Sequence, residues 1–358
     1  MASELTLFLA KSFCNSPADA TPQQLVDGEF KNIKALWETF NLDRAQIPRY
    51  LMNPKKQRSA YILGFHLPNI MRACLTWKRA ENRFRTMKSI SESSEPIHIF
   101  DIGCGTGAMT HAMILTLISG GIDPKRIKVT AIDQNKAFLE ALEGGVGYLS
   151  NDIKTRVIQS DLAQWDHDRT PLSHQEINFV ILGYVWNEVE TIPHIRGKLE
   201  RFLNHAMNLP QTFLQVSEPA NQHIARKAME LRCFIGETAS ILYPCPNIEG
   251  CPMLDRSRDW CYSEFQWKPP GWMNTLDKKL GLSRSNLAGA GYIASSGSFP
   301  SNHNQDIKVV VGRPLIGKGK NRSTKNYELL LCSESGLSKT MPPKELKKPL
   351  LRGQLLRS

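Results

Sequence analysis

In the first part of the chain, apolar positions recur at helical spacing. Between Gln24 and Phe40 they fall at Leu25, Phe30, Ile33, Leu36, Trp37 and Phe40, one face of a 3.6-residue repeat. Thr21 and Pro22 supply a helix start, and the same texture continues from Tyr61 to Met87. Residues 1–90 are therefore expected to form a helical region. The Ser-rich stretch Ser89–Pro96 breaks the pattern and reads as a linker.

From Ile97 the texture changes to short apolar runs separated by helical stretches. Ile97–Ile102, Ile127–Ile132, Arg156–Gln159, Ile177–Leu182 and Thr212–Val216 read as buried strands. Ala108–Ile118 and Lys136–Leu142 read as helices between them. Such alternation predicts an α/β fold, a Rossmann-like parallel sheet with both faces covered. After Glu218 it lapses: a helix over Asn221–Phe234 leads into a Cys/Pro/Trp-rich insertion, 243–273. Late apolar runs at Tyr292–Ser295, Lys308–Val311 and Tyr327–Leu331 are expected to complete the sheet. The main domain is thus placed at 97–337, and the Lys/Pro-rich segment 338–358 is expected to be a disordered basic tail.

The first candidate chemistry lies where the first strand ends, at Asp101-Ile-Gly103-Cys-Gly105-Thr-Gly107. Glycines there permit a tight turn and close approach of a ligand to the backbone. Asp133 ends the next strand, where a carboxylate can accept the hydroxyls of a ribose. Asp161 follows the third strand, within reach of an adenine amino group. Tyr184, in Gly183-Tyr-Val-Trp-Asn-Glu188, follows the fourth, where ligands bind in open α/β sheets. An acid at the head of the glycine turn would repel a pyrophosphate but suits an ammonium group. The pattern therefore resembles class I S-adenosylmethionine-dependent methyltransferases rather than nicotinamide dehydrogenases. The expected cofactor contacts are Asp101, Gly103, Gly105, Gly107, Asp133, Asp161 and Tyr184. The fourth strand's exit lacks the Asn/Asp-Pro-Pro-aromatic motif of exocyclic-amine methyltransferases, so the catalytic residues are unassigned. Asn187 and Glu188 are the polar candidates there, with helix capping as the alternative role.

The second candidate is a cysteine cluster. Cys245, Cys251 and Cys261 fall within 17 residues, and Cys332 is the only thiol C-terminal to them. Proline follows Cys245 and Cys251, a habit shared with bacterial ferredoxin motifs. The spacings depart from the short knuckles of structural zinc, which favours iron–sulfur and leaves zinc open. The strand before Cys332 could return that thiol to the other three.

Composition modifies this picture in two ways. No segment is long and apolar enough to span a bilayer, and the first twenty residues have neither the charged region of a signal peptide nor the Arg-rich look of a transit peptide. A cytoplasmic protein of bacterial type is expected, or one of the mitochondrial matrix if eukaryotic, acting as a monomer with no membrane partner. The formal charge is +11, of which Arg313–Ser358 supplies +8. A further basic run spans Arg72–Lys88. Blocks of this kind read as footprints for a polyanion, RNA or DNA.

Taken together, the methyltransferase turn, Ser217-Glu-Pro219, the Pro-Cys-Pro…Cys-Pro…Asp-Trp-Cys series, Gly312-Arg-Pro314 and the final Leu-Cys resemble the small-ribosomal-subunit Rsm-type methyltransferase-like family. That resemblance implies a 4Fe-4S cluster on Cys245, Cys251, Cys261 and Cys332, and binding to small-subunit rRNA and the ribosomal small subunit during assembly. One departure is Asn247, where the family has His after Cys-Pro. Three functions are then open. The chain is an rRNA methyltransferase, or a catalytically silent assembly factor that keeps the S-adenosylmethionine pocket. Otherwise it is a small-molecule or other RNA methyltransferase with a structural zinc site, against which the basic tail argues.

Overall fold

The computed structural model describes residues 1–14, 17, 19–42, 54–84, 86–166, 172–246, 250–297, 307–312, 315–316, 327–341 and 350–357. Helices α1 (Ala2–Phe13), α2 (Pro22–Leu42), α3 (Pro54–Tyr61), α4 (Leu67–Phe84) and α5 (Thr86–Glu92) precede the first strand. Residues Ile62–His66 between α3 and α4 form a π turn. The Ser-rich linker is shorter than its composition suggests, because α5 carries helix through Glu92.

The main sheet contains β1 (Ile97–Ile102), β2 (Ile127–Asp133), β3 (Lys154–Gln159), β4 (Ile177–Gly183), β5 (Thr212–Glu218), β6 (Ser240–Tyr243), β7 (Ser263–Gln266) and β8 (Asn286–Ser295). Its order is β3-β2-β1-β4-β5-β8-β6, with β7 also paired to β8. Strand β8 runs antiparallel to β5, and β6 antiparallel to β8. A parallel sheet with one inserted antiparallel strand in this order is the class I S-adenosylmethionine-dependent methyltransferase fold. Strands β1 and β4 are apolar and buried almost throughout, as expected of strands covered on both faces, whereas edge strand β3 is largely exposed.

The chain divides into two compact units: residues 1–74, 96–165 and 266–287, and residues 75–95, 166–265 and 288–358. In the first, helices α6 (Ala108–Ser119) and α7 (Lys136–Leu149) pack on each other beside β1 to β3, and α11 (Gly271–Leu280) joins α2. In the second, Trp77 is buried edge-on against Phe179 of β4, with ring centroids 5.6 Å apart, and its Nε1 donates to Gln215 Oε1 at 2.8 Å. Helices α8 (Trp186–Val189), α9 (Pro193–Asn208) and α10 (Gln222–Gly236) belong to this unit.

The late apolar runs do not all complete the main sheet. Only β8 enters it. Strands β9 (Ile307–Val310), β10 (Leu315–Ile316), β11 (Tyr327–Ser333), β12 (Gly336–Thr340) and β13 (Leu355–Arg357) form a separate antiparallel sheet, in the order β10-β11-β9-β13 with β12 on β11. In the main sheet β5 pairs with β8, whose other side is taken by β6. The C-terminal segment is not free throughout, since Leu355–Arg357 pairs with β9 and Gly336–Thr340 with β11. Gly312 is described but Arg313 and Pro314 lie outside the described residues, as do Asn247 and the run 342–349. No helix among the described residues is long and apolar enough to cross a membrane.

Candidate cofactor turn and cysteine cavity

In the first unit, the end of β1 leads directly into the glycine turn. Gly103, Gly105 and Gly107 have φ of 66°, 53° and 80°, the left-handed region that side chains disfavour. At Gly107, which caps α6, a Cβ would lie 2.8 Å from Leu142 Cγ, so close packing on α7 also demands glycine. The Gly105 N–H donates to Asp133 Oδ2 at 2.8 Å, and Asn135 N–H donates to Asp133 Oδ1 at 2.8 Å. Asp133 thus braces the turn from the end of β2.

Asp101 is 1% exposed. Thr110 Oγ1 donates to its Oδ2 at 2.6 Å, while Oδ1 is buried without a partner among the described residues. Burial, opposed by the Thr110 hydrogen bond and reinforced by Asp133, pushes its pKa up to about 7. An orphaned carboxylate oxygen is costly to bury, and it fits the ammonium expected from the sequence. Asp161 is exposed, and its Oδ1 accepts from Ala163 N–H at 2.8 Å, closing the turn after β3.

Beneath the turn lies a buried relay that sequence reasoning missed. Thr106 Oγ1 is 2.8 Å from His66 Nδ1, His66 Nε2 is 3.1 Å from His111 Nδ1, and His111 Nε2 is 3.1 Å from Leu142 O. A carbonyl only accepts, so His111 carries its proton on Nε2 and its Nδ1 must accept. His66 therefore donates from Nε2, and Thr106 donates to His66 Nδ1. This assignment requires both rings to be neutral. Burial lowers the pKa of His111 to about 4, and burial with the neighbouring His111 lowers that of His66 well below the ordinary value.

In the second unit, the β4 exit is shaped by a buried acid. Tyr184 takes a φ of 64°, and its N–H donates to Ser217 O at 2.7 Å. Asn187 N–H donates to Glu218 Oε1 at 3.2 Å, and Asn187 Nδ2 to Oε2 at 2.5 Å. Burial, partly opposed by these bonds, pushes the Glu218 pKa up to about 8. Asn187 therefore ties the exit to the end of β5, while Glu188 is exposed. In the sequence Glu218 stands only within the Ser217-Glu-Pro219 strand end, with no signal of a site role.

The four cysteines of the cluster line one cavity of about 20 Å³, together with Pro244, Met253 and Val309. Cys245, Cys251 and Cys261 come from the loop between β6 and β7. Cys332 lies within β11, opposite Val309 and Leu337. All four are free thiols. Burial first, and the neighbouring thiols second, push Cys251 up to about 11 and Cys332 up to about 12. Among the described residues no group of three or more His, Cys, Asp or Glu side chains is arranged to hold a metal ion.

Arginines hold this loop, which has little regular structure to satisfy its own carbonyls. Arg226 donates to the carbonyls of Leu254, Arg256 and Asp259 at 3.1, 2.9 and 2.8 Å. Arg83 donates to Cys245 O at 2.9 Å, Arg79 to Glu264 O at 2.6 Å and Arg352 to Trp260 O at 2.5 Å. Arg79 and Arg83 belong to the basic run read above as a polyanion footprint. The structure turns both inward, as it does Arg352 of the C-terminal segment.

A family profile described as mitochondrial small ribosomal subunit Rsm22 matches residues 69–268, more than half of the chain. The chain belongs to the Rsm22 family. The matched span of this Rsm22-family chain runs from α4 past β7, and so takes in the glycine turn and three of the four clustered cysteines. Among curated proteins there is no significant match. Solved structures similar to it include a protein described as a class I S-adenosylmethionine-dependent methyltransferase from Listeria monocytogenes, 12% identical over 82% of this chain and 87% of that one, at a TM-score of 0.39. The citrinin polyketide synthase CMeT domain is 14% identical over 79% of this chain and 70% of its own, at a TM-score of 0.39. The plantazolicin methyltransferase BpumL, solved with S-adenosylhomocysteine, is 13% identical over 82% and 97%, at a TM-score of 0.33. At such identities and scores these likenesses carry no argument, and the fold is read from the strand order.

Proposed function

We propose that this Rsm22-family protein binds S-adenosylmethionine and acts on, or assembles, the small ribosomal subunit in contact with its rRNA. The observation that carries the cofactor reading is Asp101. Its buried, unpartnered Oδ1 sits at the head of three left-handed glycines and beside Asp133. In this reading Asp101 receives the methionine ammonium, and the open backbone at Gly105, where a Cβ would meet nothing within 4 Å, admits the ligand. Asp133 keeps free lone pairs for the ribose hydroxyls, and Asp161 supports the adenine end. Tyr184 is assigned to the cofactor only by its place after β4. When bound, adenosylmethionine supplies an electrophilic methyl group.

The β4 exit offers little to activate an acceptor. Asn187 is engaged with Glu218, and Glu188 is a solvent-exposed acid. The reading of an assembly factor that keeps its cofactor pocket is therefore favoured over that of an rRNA methyltransferase. Incubating purified protein with labelled adenosylmethionine and small subunits from a deletion strain tests this: the expected outcome is subunit binding without label transfer. Label in the rRNA would show the enzyme.

In this reading Cys245, Cys251, Cys261 and Cys332, which line one cavity, would hold a 4Fe-4S cluster. Such a cluster takes one thiolate at each of four separated irons, whereas zinc draws four ligands onto one point. Four thiols spread round one cavity suit the former, and Arg232 and Arg352 partly oppose the burial that raises the thiols.

A further inference from the structure

Tyr292 of β8 lines a neighbouring cavity with Arg232 and with Cys245, Cys251 and Cys261, which also line the first. It is 2% exposed, and its hydroxyl is buried with no hydrogen-bond partner among the described residues. A phenol in that position ordinarily finds an acceptor. The adjacent Gly291 is pressed against β5. A Cβ there would lie 2.1 Å from Val216 O. Among the described residues Arg232, Cys245, Cys251 and Cys261 line the space with it, and Cys233 also acts on the hydroxyl electrostatically. Arg232 is itself 3% exposed on α10, and the thiols of Cys245 and Cys233 beside it favour its charged form against the effect of burial.

A neutral donor with no acceptor, next to a buried cation and three thiols, is an incomplete site. It lacks an anionic acceptor, and sulfur of an iron–sulfur cluster is one. We propose that the Tyr292 hydroxyl donates a hydrogen bond to a sulfur of the cluster, and so sets the reduction potential of that cluster; this rests on the cluster reading given above. Hydrogen bonds to cluster sulfur stabilise the more negative, reduced form and raise the potential. Tyr292 is then a tuning residue that ligates nothing.

The test is a redox titration of anaerobically purified full-length protein, with iron and sulfide content measured first. In Tyr292→Phe the midpoint is expected to move to a more negative potential at unchanged iron content. Site-specific 3,5-difluorotyrosine at position 292, a stronger donor of nearly the same shape, should move it the opposite way and decides the matter if the Phe variant does not load. Iron-replete variants with the wild-type midpoint would overturn the role of Tyr292 and leave the cluster standing. Wild-type protein without iron and sulfide would overturn the cluster and this inference together.

Discussion

Asp101 shows how a single carboxyl links burial to ligand binding. Below about pH 7 it is protonated in the free protein, yet an ammonium ligand requires the carboxylate. Affinity for S-adenosylhomocysteine should therefore weaken as pH falls below 7, approaching tenfold per unit. Asp101→Asn should bind at least tenfold more weakly and lose that pH dependence, as titration calorimetry between pH 6 and 8 would read. The relay beneath the turn gives a second prediction. Thr106→Val removes the donor to buried His66 Nδ1 and should cost about 1–3 kcal/mol in denaturant unfolding, whereas Thr106→Ser should stay near wild type. His66 and His111 have folded pKa values below the unfolded value. The unfolded chain thus binds more protons than the native one below pH 6.5, and their contribution to stability is lost from there down to about 4, where His111 itself protonates. Asp101 was legible in the sequence because it stands in a contiguous motif. The relay was not: its members are spread from position 66 to 142, and a lone buried histidine carries no periodic signal.

Among elements, the sheet through β5 followed from apolar runs at regular intervals, and those strands lie close to where the runs predict. The C-terminal strands were harder, because Lys308–Val311 and Tyr327–Leu331 have the same texture whichever sheet they join. The pairing of β6 with β8 has no signal either, since β6 is a four-residue strand with no distinctive pattern. The same second sheet carries Cys332 to the cavity by pairing it with Val309. Gly291 lies opposite Ser217 of β5. Its φ of 154° and the approach of Val216 O make Gly291→Ala a severe change, expected to cost about 3 kcal/mol through strain and overpacking. Chemical denaturation would check this, and a near-neutral result would mean that the two strands separate without cost.

At the scale of the whole molecule, net charge is a poor guide to where a polyanion would lie. Five arginines spread along the chain, Arg79, Arg83, Arg226, Arg232 and Arg352, are drawn to the cysteine loop, four of them onto its carbonyls and those of the adjoining strands. Composition counts those cations but not their direction. The segment 350–357 is likewise structural, since Gly353 O accepts from Tyr243 Oη at 2.9 Å and Arg357 pairs with Ile307. Deleting residues 350–358 should lower the thermal midpoint by several degrees, whereas removal of a free tail would leave it unchanged.

Equilibrium binding of S-adenosylhomocysteine to the full-length protein tests most directly whether the glycine turn is a pocket for adenosylmethionine. One-to-one binding in the micromolar range, abolished in an Asp101→Asn, Asp133→Asn double variant that still folds, is the predicted result. No binding to a well-folded wild-type protein at pH 8 would contradict it.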